Sequence, residues 1–352
     1  KGRQISWEHT SLAGEFYFNL SLGTRIDLYS ETALSDRLFV VDEAKQLHRE
    51  GVALSQIALL YRANAQSRIL EHHLFRAGLP YKVYGGLRFF ERQEVKHALA
   101  YLRLAANADD DTAFSRVVNF PPRGIGARTV EQLQEAAASG LGSLARAAKA
   151  GAVGGRGGTA IAQFAAIVER LRAASETLSL PELIDEALAA SGLRDHYASE
   201  RDGQDRVANL DELVNAATLF NDEFEAGVGP PGGADARVAA VPGPPPPPGL
   251  APFPSHASLE AGEHEAAAGQ DAMQLMTVHA AKGLEFDAVF LSGLEEGLFP
   301  HDNSLNEDGG LEEERRLMYV ALTRARKRLY LTYAGSRMLH GQPRYGLVSR
   351  FV

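Results

Sequence analysis

The stretch that most narrows what this chain can fold into is Met276–Pro300, MTVHAAKGLEFDAVFLSGLEEGLFP, followed ten residues later by Leu311–Arg326, LEEERRLMYVALTRAR. Gln274–Val278 is apolar and β-favouring, and Ala288–Leu294 is a buried-type strand bounded by Gly293. Between them His279–Phe286 forms a Gly-containing turn that carries His279, Lys282 and Glu285. In an α/β sheet, side chains and free backbone N–H groups at strand ends are where phosphates and substrates are met, so this turn is placed for chemistry. In the second run Leu311, Leu317, Met318, Val320, Ala321 and Leu322 recur among Glu312–Glu314, Arg315 and Arg316. That spacing predicts an amphipathic helix with Arg324 at its far end.

Upstream the same alternation recurs. Ile26–Tyr29 reads as a strand, Ser35–Arg49 as a helix ended by Gly51, Ser55–Tyr61 as a buried strand, and Ala65–Ala77 as a helix with Ile69, Leu70 and Leu74 on one stripe. Strand–helix alternation of this kind predicts a parallel sheet. Arg62, Asn64 and Gln66 leave the end of the buried strand; they either cap the next helix and pair with its acids or meet a ligand. Tyr84–Phe90 crosses a turn in which Gly85 and Gly86 permit positive φ, with Phe89 and Phe90 as core, and leads into a helix over Gln93–Ala105.

From about Glu91 to Gln270 the chain turns helical, Ala-rich and more acidic, as expected of a separate helical domain inserted into the sheet domain. Asp111–Asn119 predicts one helix, and Pro121–Gly126 a sharp turn into another beginning near Thr129, where Thr129 and Gln132 fit a capping box. A Gly-x-Gly turn before a helix presents free N–H groups and the positive end of a dipole, which suits a phosphate; Arg123 and Arg128 flank it. A tight structural connection is the other use of such a turn. Leu141–Gly158 is Gly/Ala-rich and predicts a poorly ordered helix and loop. Ile161–Leu178, Leu180–Ser191 and Arg206–Phe224 read as further helices, and Ser255–Ala268 as one more. Ten of the 16 prolines fall in Pro230–Pro254, five of them consecutive at Pro244–Pro248, which predicts an extended, disordered loop and offers a ligand for a proline-binding domain.

The TVHAAKGLEFDAVFLSGLEEGLFP and EEERRLMYVALTRAR segments closely resemble the fifth and sixth motifs of the UvrD/Rep family of superfamily 1 DNA helicases, UvrD/PcrA-like members in particular. ALLYRANAQSRILEHHLFRAGLPYKVYGGLRFFERQEVKHALAYLRL, Ala58–Leu104, is equally typical. The resemblance runs from about Arg25 to Val352 and corresponds to the C-terminal half of such enzymes. It implies an α/β chain in which a RecA-like parallel sheet domain is interrupted by a large inserted α-helical domain. The implied division is a linker or altered N-terminal end at 1–24, the first part of the second RecA-like motor domain at 25–90, the inserted domain at 91–270 with its Pro-rich loop at 228–256, and the second part of the motor domain at 271–352. It implies Arg324 as the catalytic arginine, and Glu285, Lys282 and Gly283 as the nucleotide side, Glu285 accepting a bond from the ribose. It implies His279 and His301 facing single-stranded DNA with Arg62 and Asn64 in support, and Arg123, Gly124 and Gly126 facing duplex. His340 stands where relatives commonly have Tyr or Phe, and Leu347–Phe351 lacks the usual Pro before Ser349. Both departures bear on stacking and on how the C-terminus sits.

The implied cofactors are ATP and Mg²⁺. No G-x-x-x-x-G-K-[ST] loop occurs in the 352 residues, and the chain begins at Lys1 without Met. The expectation is therefore a fragment, inactive alone, whose phosphate loop and Mg²⁺-binding acids lie in a preceding N-terminal motor domain. Implied partners are single-stranded DNA, single/double-strand junctions, that motor domain and DNA-repair proteins, in a 3′-to-5′ helicase of repair or replication.

Composition bounds these expectations. A 45% hydrophobic content over 352 residues can bury a sizeable core. The absence of cysteine excludes disulfides and thiolate metal sites. A net charge of −9 argues weakly against nucleic acid, yet Leu311–Val352 holds nine Lys/Arg against three Asp/Glu, and Arg62–Arg103 eight against three. No apolar stretch approaches the ~20 residues of a membrane span, so a cytoplasmic protein is expected. The alternative function is a non-catalytic DNA- or protein-binding module; a helicase–nuclease lacks its cluster of acids with a following lysine. Lys1–Thr24 has no clean period.

Overall fold

The structure is a computed structural model that describes residues 25–31, 33–225, 250, 252–262, 269–339 and 342–352. The segment Lys1–Thr24, the proline-rich run up to Gly249 and His340 lie outside the described residues. The chain divides into two compact units, one ending at Phe89 and resuming at Glu260, the other Phe90–Leu259.

The first unit is built on β1 (Arg25–Glu31), β2 (Ile57–Tyr61), β3 (Tyr81–Tyr84), β4 (Met273–Thr277), β5 (Phe286–Ser292) and β6 (Ala325–Ala334), in the order β1-β6-β5-β2-β4-β3. Every neighbouring pair is parallel. A small antiparallel pair, β7 (Ser336–Leu339) and β8 (Gln342–Tyr345), follows. Strand β2 is buried at all five positions, as expected of a parallel strand covered on both faces. Helix Gly310–Leu322 turns Leu317, Met318, Ala321 and Leu322 onto the sheet, where they pack with Leu60, Met276, Val289 and Leu291. Strand β3 is the outermost on its side and pairs with β4 through four residues, Tyr81↔Met273 to Tyr84↔Met276. The insertion thus leaves the sheet from one strand and rejoins it on the adjacent one.

Because all six strands run the same way, the sheet has an amino edge and a carboxyl edge. The segment 278–285 starts at the carboxyl end of β4 and finishes at the amino end of β5. Helix Gly310–Leu322 makes the same return toward the amino end of β6.

The second unit is all helical, with Gln93–Ala106, Asp111–Val117, Ala127–Ala136, Leu144–Lys149, Gly155–Ala174, Leu180–Ser191, Leu193–Ala198 and Gly203–Glu225 among its helices. Two expectations need correction. Leu141–Gly158 is better formed than its glycines suggest: Ser143 caps helix Leu144–Lys149 by accepting from Arg146 N–H, and Ala145, Ala147 and Ala148 are buried. The helix expected near Thr129 begins at Ala127 with Gly126 as N-cap and no side-chain cap, so the Thr129–Gln132 box is not formed.

In this unit His97 Nδ1 lies 2.7 Å from the Tyr197 hydroxyl and its ring sits 3.9 Å from that of Phe120. Burial, reinforced by the charges of Arg116, His196 and Arg206, pushes the imidazole down to about 4. The unfolded chain takes up this proton near its ordinary value of about 6.5, while the folded chain resists until about 4. Stability is therefore expected to fall as pH drops from about 6.5 to about 4, and to be insensitive to this group above that window. Urea unfolding against pH should show His97→Gln losing slope in that window relative to the parent; equal slopes would refute the assignment.

Candidate functional site

Arg324 and Glu285 stand side by side at the amino edge. Side chains satisfy the last carbonyls of helix Gly310–Leu322: Thr323 Oγ1 donates to Tyr319 O and Val320 O, and Arg324 Nε donates to Val320 O at 2.9 Å. Arg324 is therefore past the helix, in the turn that enters β6, rather than on its final turn. Its Nη1 donates to Leu284 O at 2.7 Å and its Nη2 to Thr323 Oγ1 at 3.0 Å, while its backbone carbonyl accepts from Phe286 N–H. Glu313 is not its partner and accepts from Arg316 instead. The guanidinium is half-buried and held by neutral oxygens only. Glu285 is exposed and lines a cleft of about 370 Å³ with Lys82, Tyr84, Gln274 and Leu284.

The segment 278–285 connects the two edges. Val278 N–H donates to Tyr61 O, Ala281 N–H to Thr277 O, and Leu284 N–H to Ala281 O, so the peptide crosses in compact turns with Val278 and Ala281 buried. His279 is exposed at the carboxyl edge. Lys282 and Gly283 are exposed on the crossing, and Gly283 has φ +85° with open space where a Cβ would stand. Gly85, directly after β3, has φ +76°, and a Cβ there would lie 2.9 Å from Ala280 Cβ. Gly85→Ala is expected to cost roughly 1–3 kcal/mol from backbone strain and crowding. A lowered urea midpoint, with faster hydrogen exchange at 279–282, would report it; an unchanged midpoint would count against this close approach.

At the carboxyl edge one carboxylate gathers the other residues. Arg62, the residue after β2, donates from Nε and Nη2 to both oxygens of Glu314, at 2.9 and 3.0 Å and at 2.6 Å, and from Nη2 to Ser304 Oγ at 3.2 Å. Glu314 also accepts from His301 N–H at 3.2 Å. The two side chains are 17% and 1% exposed, so this is a buried pair. Burial works to raise the Glu314 carboxyl, but the Arg62 bonds and charge, Ser304 and His301 N–H outweigh it, and it is held below the usual carboxylate range. Arg62 thus pairs with an acid, but with one 252 positions away rather than one in the next helix. Gln66 Oε1 accepts from Arg62 N–H and Ala63 N–H, fixing the turn that carries Asn64. His301 caps the short helix Asp302–Leu305 by accepting from Asn303 N–H at Nδ1. The C-terminal segment braces the same loop: Ser349 Oγ donates to Phe299 O, Phe351 packs edge-on to Phe299, and Arg350 pairs with Glu296. The region that lacks the usual proline is thus tied down by hydrogen bonds.

In the helical unit the Gly124–Gly126 turn is exposed except for Ile125. Asn119 Oδ1 accepts from Arg123 N–H and Ile125 N–H, which sets the turn, and Gly124 takes φ +75°. The expectation that the Arg123 side chain faces a phosphate is corrected. Its guanidinium turns inward, donating to Val117 O, Pro121 O, Ser191 O and the Tyr101 hydroxyl, and lies over the Phe164 ring. Four oxygens and an aromatic face leave it a structural clamp, and the chemistry offered outward reduces to backbone N–H groups and the exposed Arg128. Among the described residues no three His, Asp or Glu side chains converge to hold a metal ion. No helix among them is long and apolar enough to cross a membrane.

Sequence reasoning overlooked Glu314. Its signal was available: the buried positions Gly310, Glu314, Leu317, Met318 and Ala321 form one helical stripe, and an acid on such a stripe implies a buried partner.

A family model described as the UvrD-like helicase C-terminal domain matches residues 22–150 and 158–336. DNA helicase II of Salmonella typhimurium is 46% identical over 341 residues, which cover 94% of this chain and 44% of that protein. DNA helicase II of Escherichia coli gives the same figures, and ATP-dependent DNA helicase PcrA of Bacillus subtilis is 40% identical over 337 residues, again 94% of this chain and 44% of the relative. The chain therefore spans less than half the length of these relatives.

Proposed function

Because the chain belongs to the UvrD-like helicase C-terminal domain family, we propose that it is the second motor domain, with its helical insertion, of an ATP-dependent DNA helicase. The observation that carries this is the sorting of candidate residues by sheet edge. Glu285 and Arg324 stand at the amino edge; His279, Asn64 and His301 stand at the carboxyl edge; and helix Gly310–Leu322 runs between. ATP binds at the amino edge, its triphosphate held by a separate phosphate-loop domain that also supplies the Mg²⁺ ligands. Water attacks the γ-phosphorus, the bond to the β,γ-bridging oxygen breaks, and the Arg324 guanidinium stabilises the charge spread over the transferring group. Its present acceptors are uncharged, whereas phosphate adds charge–charge attraction and a bidentate match to the guanidinium fork, so the anion can draw it from Leu284 O. Glu285 accepts a hydrogen bond from the ribose, and Lys282 and Gly283 support the approach to the phosphates. Single-stranded DNA lies along the carboxyl edge, its bases against His279 and His301, with Asn64 alongside and Arg62 positioned by Glu314. The backbone N–H groups of Gly124 and Gly126 meet duplex phosphates. Closure around ATP then moves the strand stepwise, with the 3′-to-5′ direction of the family, in a cytoplasmic repair or replication enzyme.

DNA-stimulated ATPase, measured for this chain alone and then joined to a phosphate-loop motor domain, tests the proposal. No turnover is expected alone, and dT-stimulated turnover is expected when joined. Turnover by the chain alone would show the phosphate site misplaced; DNA binding with no turnover in the joined protein would leave only the binding-module alternative. Binding that rests on phosphates should weaken steeply with salt, so salt-insensitive binding would point to another ligand.

A further inference from the structure

We infer that Glu314 is a positioning residue that conveys DNA occupancy at the carboxyl edge to Arg324 at the amino edge; this rests on the motor-domain reading above. Glu314 is the one acid on the buried stripe of helix Gly310–Leu322. Its carboxylate binds the end of β2 through Arg62 and the His301 loop through His301 N–H, with Ser304 joined to the same guanidinium. Two segments that are distant in sequence and both carry DNA-facing candidates are therefore fastened to a single point. Ten residues on, roughly 15 Å along a helical path, lies Arg324. Two of the restraints on Arg324, Val320 O and Thr323 Oγ1, belong to the end of that helix. Between the two ends the helix is packed: Leu317, Met318, Ala321 and Leu322 interlock with Val278, Ala281 and Phe286 of the crossing segment and its strand. A close-packed helix moves as a unit rather than bending locally. A shift of Arg62 or the His301 loop on binding DNA thus pulls the helix through Glu314, and the helix resets the guanidinium against Leu284 O. The carboxylate must reach two partners at once, so its length matters as well as its charge.

Hydrogen exchange on this chain, free and saturated with an oligo-dT, reads the two edges separately. In the parent protein dT is expected to slow exchange at 62–66 and 301–304, and to change it at least threefold at the Phe286 and Arg324 amides, whose acceptors are Arg324 O and Ala321 O. Glu314→Gln removes the charge and Glu314→Asp shortens the reach; each, at its own saturating dT, should keep the local protection and lose the remote change. If Glu314→Gln fails to fold, Glu314→Asp carries the same test, and retention of charge without recovery of the remote change separates positioning from charge. In the enzyme joined to its phosphate-loop domain, both variants should lower dT-stimulated kcat at least tenfold with KM for ATP within threefold, a split that general loosening would not give. Persistence of the remote change in a dT-saturated variant, or its absence in the dT-bound parent, overturns the inference. Failure of the parent to bind dT removes the motor-domain reading itself.

Discussion

Replacing Arg324 with alanine is expected to lower DNA-stimulated ATP turnover of the joined enzyme by roughly 10³–10⁵-fold, about 4–7 kcal/mol of barrier. The magnitude follows from what the guanidinium does in a dissociative phosphoryl transfer, where little covalent chemistry falls to the protein and charge stabilisation carries most of the rate. Arg324→Lys should recover little of it. The three contacts of Arg324, to Val320 O, Leu284 O and Thr323 Oγ1, use a planar fork, and a single ammonium cannot hold that geometry and reach phosphate as well. Steady-state phosphate release at saturating ATP and dT measures the effect. A melting curve shows whether the variant is folded, because loss of the tie to Leu284 O also loosens the segment before β5. Turnover within tenfold of the parent would remove the central assignment.

Glu314→Ala is expected to destabilise the sheet unit by about 3–5 kcal/mol, the range for removing one partner of a buried pair and stranding the other charge. Arg62 is only 17% exposed, and after the substitution its guanidinium would be left without its bidentate partner, with Ser304 Oγ its remaining acceptor. Arg62→Ala should cost a similar amount, and the double variant less than the sum, because neither charge is then left alone. Urea unfolding of the four proteins measures the cycle; additive losses would show that the pair is not coupled. The same pair sets a pH response. The folded carboxyl lies below its unfolded value, so its stabilisation is present above the unfolded pKa of about 4.5 and is lost as pH falls through the depressed folded value. That window lies below most of the His97 window, so in Glu314→Ala the acid limb of the stability profile should flatten first at its most acidic end.

The sheet was legible because its strands are apolar runs of the length and composition that a doubly covered parallel sheet requires, and Ile57–Tyr61 could be little else. Strand β6 escaped notice because three of its first four residues, Arg326, Lys327 and Arg328, are basic and follow a strong helical period; the aromatic and branched residues that mark it begin only at Leu329. Local charge was a poor guide to outward chemistry. Arg123 looks like a phosphate contact beside two glycines, yet it is spent on carbonyls of its own unit. Arg62 is met by an acid far along the chain, and no periodicity within either segment reveals such a pair. The nucleotide side of 278–285 was legible as chemistry but not as place. A turn between two strands suggests one edge of a sheet, whereas the parallel order makes this one span from edge to edge.

The outermost position of β3 has a mechanical corollary. The polypeptide departs for its helical unit through a strand held by four residue pairs on one flank only. Tension drawn along that exit would be borne by the rim, which can unzip and re-form while the interior strands stay paired. The sheet thus places a strand paired on one flank only at the exit to its insertion, and that rim can open while the centre keeps its pairing.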